Sequence, residues 1–235
     1  MPKVNVKGPI ISSDEQWIYD WLGIESTSPQ SVAKEIEAAN GGDIEVDINS
    51  GGGSVFAGSE IYTALKSYKG NVTIRIVGLA ASAASVIAMA GKRVIMAPTA
   101  QMMIHNVSSR ASGDYRDLEH VASILKNANE TIANAYRLKS GMSQEELLSM
   151  MNNETWLTPQ QALNYKLIDE VMFENDLQIV VNYDNGMLAP QVINKIRNEL
   201  LKNPTNQKND GSDIFIQQKI QAQFNLLKLK GDEKE

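Results

Sequence analysis

At 235 residues the chain has room for one sizeable core domain with an appendage. Hydrophobic content of 43% against 21% charged residues is that of an ordinary soluble globular protein, and a formal charge of −6 argues against a nucleic-acid surface, which calls for clustered Lys and Arg. Without cysteine there is no disulfide framework, thiolate nucleophile or Cys-based metal site, and any imidazole chemistry must use His105 or His120.

The first residues, Met-Pro-Lys-Val-Asn-Val-Lys, lack an apolar core of signal-peptide length, so export by that route is not expected and a cytoplasmic setting is. Residues 3–11 alternate weakly and read as a strand. Ser28 is placed to cap a helix with Pro29 at its first position, running through Val32 and Ile36 to Ala39, with Gly41-Gly42 ending it. Ile44 to Asn49 alternates apolar and polar residues, the period of a strand with one buried face. After Ser50-Gly51-Gly52-Gly53-Ser54 a helical pattern runs through Val55, Ile61, Leu65 and Tyr68. Val72 to Val77 is β-rich. It feeds through Gly78 into an Ala/Ser run read as a buried helix, with Ser82 and Ser85 in its first turns and Gly91 at the C′ position. This uncharged run is short of the roughly 18–20 residues of a membrane span. Residues 93–96 and 101–105 read as two more strands. The β-α-β-α-β order over 44–105 predicts an α/β layer architecture with parallel pairing.

Residues 114–138 form the longest helical pattern, with a stripe of Leu118, Val121, Ala122, Leu125, Ile132 and Tyr136, and His120 on the opposite, solvated side. Gly141 ends it. Ser143 with Glu146, and Thr158-Pro159 with Gln161, are two further helix starts, joined by a short connection that carries Glu154. Beyond residue 173 the texture changes. We divide the chain into a core domain at 1–175, an appended strand and helix at 176–202, a polar linker at 203–213 and an amphipathic tail at 214–235 (Ile216, Ile220, Phe224, Leu227).

The glycine run does not carry a nucleotide-binding pattern: counting from Gly51, the sixth position is Phe56, and no Walker sequence exists. A Gly-rich strand end can instead offer backbone N–H groups to a carbonyl oxygen or an edge for an extended peptide; a plain tight turn is the simpler meaning. Ser82 reads either as an N-cap or as a hydroxyl held at a helix start beside a base. His105 ends a strand, as a structural residue or as that base. Glu154 is a loop carboxylate of the kind that is usually solvated. Each signal is weak by itself; together they follow in order along one compact α/β pattern.

That order resembles the proteolytic subunit of the Clp proteases. Ile48-Asn49-Ser50-Gly51-Gly52-Gly53, followed by Ala57-Gly58 and Ile61-Tyr62, looks like the family's Ile-Asn-Ser-Pro-Gly-Gly…Ala-Gly…Ile-Tyr segment. Gly78-Leu79-Ala80-Ala81-Ser82 is similar to its Gly-x-Ala-Ala-Ser nucleophile motif, and Met103-Ile104-His105 to its Met-Ile-His segment. Glu154-Thr155-Trp156-Leu157-Thr158, with Ala162 and Tyr165-Lys166-Leu167-Ile168-Asp169, resembles its Asp-x-Phe-hydroxyl…Ala…Tyr-Gly-Leu-Ile-Asp segment. The resemblance covers about residues 5–173.

It implies a crotonase-like stack of βαβ repeats with a long handle helix at 114–138, extended here by the C-terminal helical segment. It further implies a serine endopeptidase acting on protein or peptide substrates without cofactor or metal. Ser82 would be the nucleophile, His105 the base and Glu154 the orienting carboxylate; the Gly53 and Ala83 N–H groups would form the oxyanion hole, and Gly52 and Ser54 would contact substrate. Ring-shaped homo-oligomers, commonly heptameric and stacked in pairs, belong to the same implication.

Three departures stand out. Glu154 stands where the family has Asp, which leaves solvent, a backbone carbonyl or Asp169 as other orienters. Gly51 replaces a proline. About sixty residues follow the core and the usual leading axial segment is not evident, which puts docking to a Clp-type ATPase in doubt. These traits look more like the head maturation proteases of tailed phages, with capsid or scaffold proteins as partners and the host cytoplasm or procapsid as location. Kept beside this reading are a non-catalytic assembly protein on the same fold, an acyl-CoA enzyme of the crotonase type, and a Ser-Lys peptidase using Lys92.

Overall fold

The computed structural model describes residues 1–174; the expected strand and helix at 176–202, the linker at 203–213 and the tail at 214–235 lie outside the described residues. Within them the elements run β1 (Lys3–Lys7), α1 (Gln16–Leu22), α2 (Pro29–Ala38), β2 (Ile44–Ser50), α3 (Val55–Lys66), β3 (Val72–Ala81) and α4 (Ala83–Ala88). They continue with β4 (Arg93–Met96), β5 (Gln101–Ile104), α5 (Tyr115–Ser140), α6 (Gln144–Asn152), β6 (Thr155–Leu157), α7 (Pro159–Asn164) and β7 (Glu170–Val171).

The alternating strands form the expected sheet. Its order is β1-β2-β3-β4-β7 with every pairing parallel, while β5 pairs with β3 and, antiparallel, with β6. Val4, Val6, Ile44, Val46, Ile48, Ile74 and Ile76 are all fully buried and share a core with Ile61 and Leu65 of α3 and Ile87 of α4. The residues between them on β2 and β3 are polar and half-buried, and there Arg75 pairs with Glu45 at 3.1 Å and Asp47 at 3.2 Å. Burial of one face explains why period 2 is legible in a parallel sheet, whose strands usually read as continuous apolar runs.

The middle strand does more than its sequence suggests. β3 pairs with β4 as far as Ile76↔Met96, then with β5 from Leu79↔Gln101 to Ala81↔Met103. Between those stretches its register with β2 slips, from Ile48↔Ile76 to Ser50↔Ala80. The slip falls at Gly78, where a Cβ would come within 2.5 Å of Asn49 Oδ1, and that same oxygen accepts the Leu79 N–H at 3.1 Å. A bulge thus turns β3 from one neighbour to the other, and the Asn49 side chain satisfies a backbone donor that the slip frees.

Helix signals are borne out where capping chemistry carries them. Ser28, Ser143 and Thr158 each cap with a reciprocal box, and Asp114 does the same for α5, which closes on Gly141 in the left-handed conformation. Other expectations need correction. The run after Gly78 stays extended to Ala81, so α4 is short; Gly91 lacks a positive φ and is instead pressed against Ile74, where a Cβ would sit 2.5 Å from Cγ1. The stripe on α5 is buried only toward its C-terminal end: Ile132 and Tyr136 are buried, but Leu118 is 47% exposed and Ala122 lies at the surface. Helix α1 is not legible in the sequence because its apolar side chains have no core to face, Trp17 and Trp21 being 67% and 80% exposed. The strands β6 and β7 are too short for periodicity to mark.

Candidate active site

Strands β3 and β5 run parallel and adjacent, so their C-terminal ends deliver Ser82 and His105 to the same edge of the sheet. The Ser82 N–H donates to the Met103 carbonyl at 3.0 Å, extending the ladder by one rung. Ser82 then turns sharply, with φ 55 and ψ −125, before α4 begins. A non-glycine residue in that region is strained, and such strain is held only where the surroundings over-determine it. The hydroxyl makes no capping bond to α4. It lies 2.7 Å from His105 Nε2. The plain reading of Ser82 as an N-cap is therefore corrected: the strand-to-helix turn carries its side chain off the helix and onto the imidazole.

Small residues make this packing possible. A Cβ on Gly58 of α3 would approach Ala83 Cβ to 3.0 Å, and a Cβ on Gly52 would fall 2.7 Å from Ser82 Cβ. Gly53, at φ +153, has no room for one either, since it would meet the Ile10 carbonyl oxygen at 2.1 Å. Ile10 bridges Gly53 in parallel fashion, taking the Ser54 N–H on its carbonyl at 2.8 Å and donating its own N–H to the Gly52 carbonyl at 2.9 Å. In that pattern the Gly53 N–H faces away from Ile10, and neither it nor the Ala83 N–H has a hydrogen-bond partner among the described residues. Gly52 differs. Its N–H is taken by Ser50 Oγ at 3.1 Å and its carbonyl by Ile10, so what it offers the site is the lack of a side chain. Ser54 caps α3, its hydroxyl accepting from the Ala57 N–H at 3.4 Å.

A cavity of about 460 Å³ opens at the serine, walled by Ser82 and His105 together with Gly53, Phe56, Val86 and Tyr136 among others. The strand continuing past His105 is tied down by the Val107 N–H, which donates to Asn129 Oδ1 of α5 at 2.7 Å, and by Asn106 Nδ2, which donates to Asn152 Oδ1 of α6 at 2.8 Å.

Glu154 is brought close by β6, a strand that sequence periodicity does not reveal. β6 lies antiparallel to β5 with Ile104 opposite Thr155, so the next position along places Glu154 opposite His105. Its side chain is elsewhere: Glu154 is exposed, has a left-handed φ of 46, and its Oε1 accepts the Trp156 indole N–H at 3.4 Å. No hydrogen bond joins it to His105 among the described residues. Asp169 is engaged elsewhere: its Oδ2 accepts both the Val94 N–H and the Lys139 ammonium, each at 2.6 Å, and no hydrogen bond joins it to His105 among the described residues. Lys92 bonds Asn71 at 2.9 Å, beside the start of β3, the strand whose other end carries Ser82. His120 is exposed on α5. Ser85, the other hydroxyl in the first turns of the Ala/Ser run, is fully buried and committed to the Ser82 carbonyl at 2.7 Å and the Tyr136 hydroxyl at 2.8 Å. No cluster of metal-ligating side chains occurs among the described residues, and no helix there is long and apolar enough to cross a membrane.

A sharp strand-to-helix serine on a parallel sheet, facing a histidine from the adjacent strand, defines an α/β protein with the makings of acyl-transfer chemistry. The Clp protease family model matches residues 25–175, and the chain belongs to that family. Among curated relatives, the ATP-dependent Clp protease proteolytic subunit of Deinococcus radiodurans is 36% identical over 133 residues, which are 55% of this chain and 65% of the relative. The same subunit from Bacteroides fragilis is 34% identical over 137 residues, 57% of this chain and 66% of that one. The match thus spans a little under two thirds of these relatives' length. A solved structure of a ClpP1 point mutant from Listeria monocytogenes has the same fold at a TM-score of 0.61 and 23% identity, covering 74% of this chain and 93% of that one.

Proposed function

We propose that the chain is a serine endopeptidase that hydrolyses peptide bonds in protein substrates, with Ser82 as nucleophile. The observation that carries the reading is the 2.7 Å contact between Ser82 Oγ and His105 Nε2 at a strained strand end. His105 takes the hydroxyl proton as the oxygen attacks the scissile carbonyl, then returns it to the leaving amine; a water repeats the sequence on the acyl-enzyme. The Gly53 and Ala83 N–H groups receive the oxyanion, a reading supported by their having no partner among the described residues. Glu154 orients the imidazole after a side-chain rotation away from Trp156; what supports this is its register position opposite His105. Catalytic contacts are often loose before substrate binds.

Substrate enters the cavity at Phe56, Val86 and Ile132. We place the working unit in residues 1–175, assembled as a ring of identical copies, and take a phage head or scaffold protein as its natural substrate, on the resemblance set out above. The test is direct. A fluorophosphonate labels Ser82 in the assembled protein, and peptide hydrolysis falls by about 10⁴-fold or more in Ser82→Ala and His105→Ala while the oligomer persists. An unlabelled Ser82 in the intact assembly would overturn the reading in favour of a non-catalytic assembly protein; full activity in His105→Ala would overturn the role of the base.

A further inference from the structure

Behind the nucleophile runs a buried line of hydroxyls that the peptidase reading does not use. Tyr136 of α5 and Ser85 of α4 are 1% and 0% exposed, and their oxygens are 2.8 Å apart. Ser85 Oγ also lies 2.7 Å from the Ser82 carbonyl oxygen, which can only accept. A serine hydroxyl has one proton, and here it goes to that carbonyl, so Tyr136 must be the donor to Ser85. Burial pushes the Tyr136 phenol well above its ordinary pKa, only partly offset by the bond to Ser85, so it stays a donor at every working pH. The direction of the line is fixed: Tyr136 O–H to Ser85 O–H to Ser82 C=O.

Where the line ends gives it meaning. The Ser82 carbonyl belongs to the Ser82–Ala83 peptide group, whose other end is the Ala83 N–H. A peptide is planar and trans, so the orientation of its C=O fixes the direction of its N–H. Each hydrogen bond accepted by the carbonyl also polarises the group and makes the N–H a stronger donor. That carbonyl receives three donors: the Ser85 N–H at 3.0 Å, the Val86 N–H at 3.3 Å and the Ser85 hydroxyl. The backbone pair would be present in any helix begun this way; the hydroxyl and the phenol behind it are added by side chains.

We infer that Ser85 and Tyr136 are positioning residues for the oxyanion donor: through the Ser82–Ala83 peptide they aim and strengthen the Ala83 N–H that faces the developing negative charge. This rests on the reading of Ser82 as nucleophile and adds an expectation that reading lacks. Such a line acts on the transition state, where the oxygen is charged, and little on the bound ground state. Tyr136 also walls the cavity, so the rival explanation is substrate fit, which would act on KM and on side-chain preference.

The experiment uses the full chain, a fluorogenic peptide, and a peptide boronate as mimic of the tetrahedral state, with Ser85→Ala, Tyr136→Phe and the double variant. We expect kcat to fall about 10-fold in Ser85→Ala and about 3-fold in Tyr136→Phe, with KM within about 2-fold and boronate affinity falling alongside kcat. Because the links are in series, the double variant matches Ser85→Ala instead of multiplying the two losses. It also removes both hydroxyls together, so neither is left buried without a partner and folding is preserved. Three outcomes overturn the inference: a changed KM or cleavage preference at constant kcat, a kcat that recovers in the double variant along with thermal stability, or boronate affinity unchanged while kcat falls. A wild-type chain whose Ser82 neither reacts with fluorophosphonate nor turns over peptide overturns the nucleophile reading itself, and this inference with it.

Discussion

The two sides of the candidate site are built differently. On one side Ser82 and His105 sit at the ends of adjacent parallel strands, each continued by backbone that is tied down: Ser82 by the Met103 carbonyl and the turn into α4, His105 by the Asn129 and Asn152 anchors that follow it. On the other, Glu154 has its backbone opposite His105 through three antiparallel pairs on β6, while its side chain lies in solvent against Trp156. Strand pairing fixes where a Cα is. It fixes where a functional group is only when packing also selects the rotamer. Buried small residues do that for Ser82, and nothing comparable encloses Glu154 among the described residues.

The glycine loop is where that contrast is easiest to break. Gly53→Ala must move the Ile10 carbonyl and adopt a φ of +153, so we expect destabilisation of about 3 kcal/mol and loss of peptide hydrolysis, read as a drop in thermal midpoint and in kcat/KM. A native-like melting temperature would show the loop to be more yielding than its contacts suggest. The looser side should respond less. Glu154→Gln is expected to lower kcat about 10- to 100-fold, far short of the loss in Ser82→Ala, because serine, base and oxyanion donors remain in place. Trp156→Phe, which removes the competing indole N–H, should leave kcat unchanged or raise it about 2-fold. A Glu154→Gln loss equal to that of His105→Ala would mean the carboxylate is held on the imidazole during turnover as firmly as the serine is. The smallest effect should come one residue before the strained glycines. Gly51 has open space around its Cβ direction and no positive φ, so Gly51→Ala should raise stability by about 0.4–1 kcal/mol by restricting the unfolded chain, with activity intact. A glycine in place of the family's proline would then loosen the unfolded chain more than the folded site.

Much of this is legible in the sequence because local chemistry has few alternatives. Ser28-Pro29, Ser143 with Glu146 and Thr158-Pro159 with Gln161 announce helix starts, since only side chains of that kind satisfy the orphan N–H groups there. Period-2 alternation at Ile44–Asn49 announces a strand with one buried face. The order of glycine loop, serine, histidine and carboxylate points to a family, and the family is the one this chain belongs to. Other features leave no local trace. The extension of β3 to Ala81 depends on a bulge at Gly78 held by the distant Asn49, and Ala-rich sequence by itself favours helix. Leu118 and Ala122 of the α5 stripe are exposed because a periodic face says that a helix can pack, not that a partner lies against all of it.

By itself, then, the sequence determined the alternation of strands and helices over 44–105, most helix starts, the α/β class and the motifs from which a serine site would be assembled, because each depends on neighbours within a few positions. Only the tertiary structure decided that Ser82 turns off its helix onto His105, that Glu154 lies opposite His105 in register without touching it, and that Tyr136 and Ser85 line up on the Ser82 carbonyl. These depend on residues 23 to 51 positions apart meeting at one sheet edge, and such meetings are set by strand register and packing, which no local window contains.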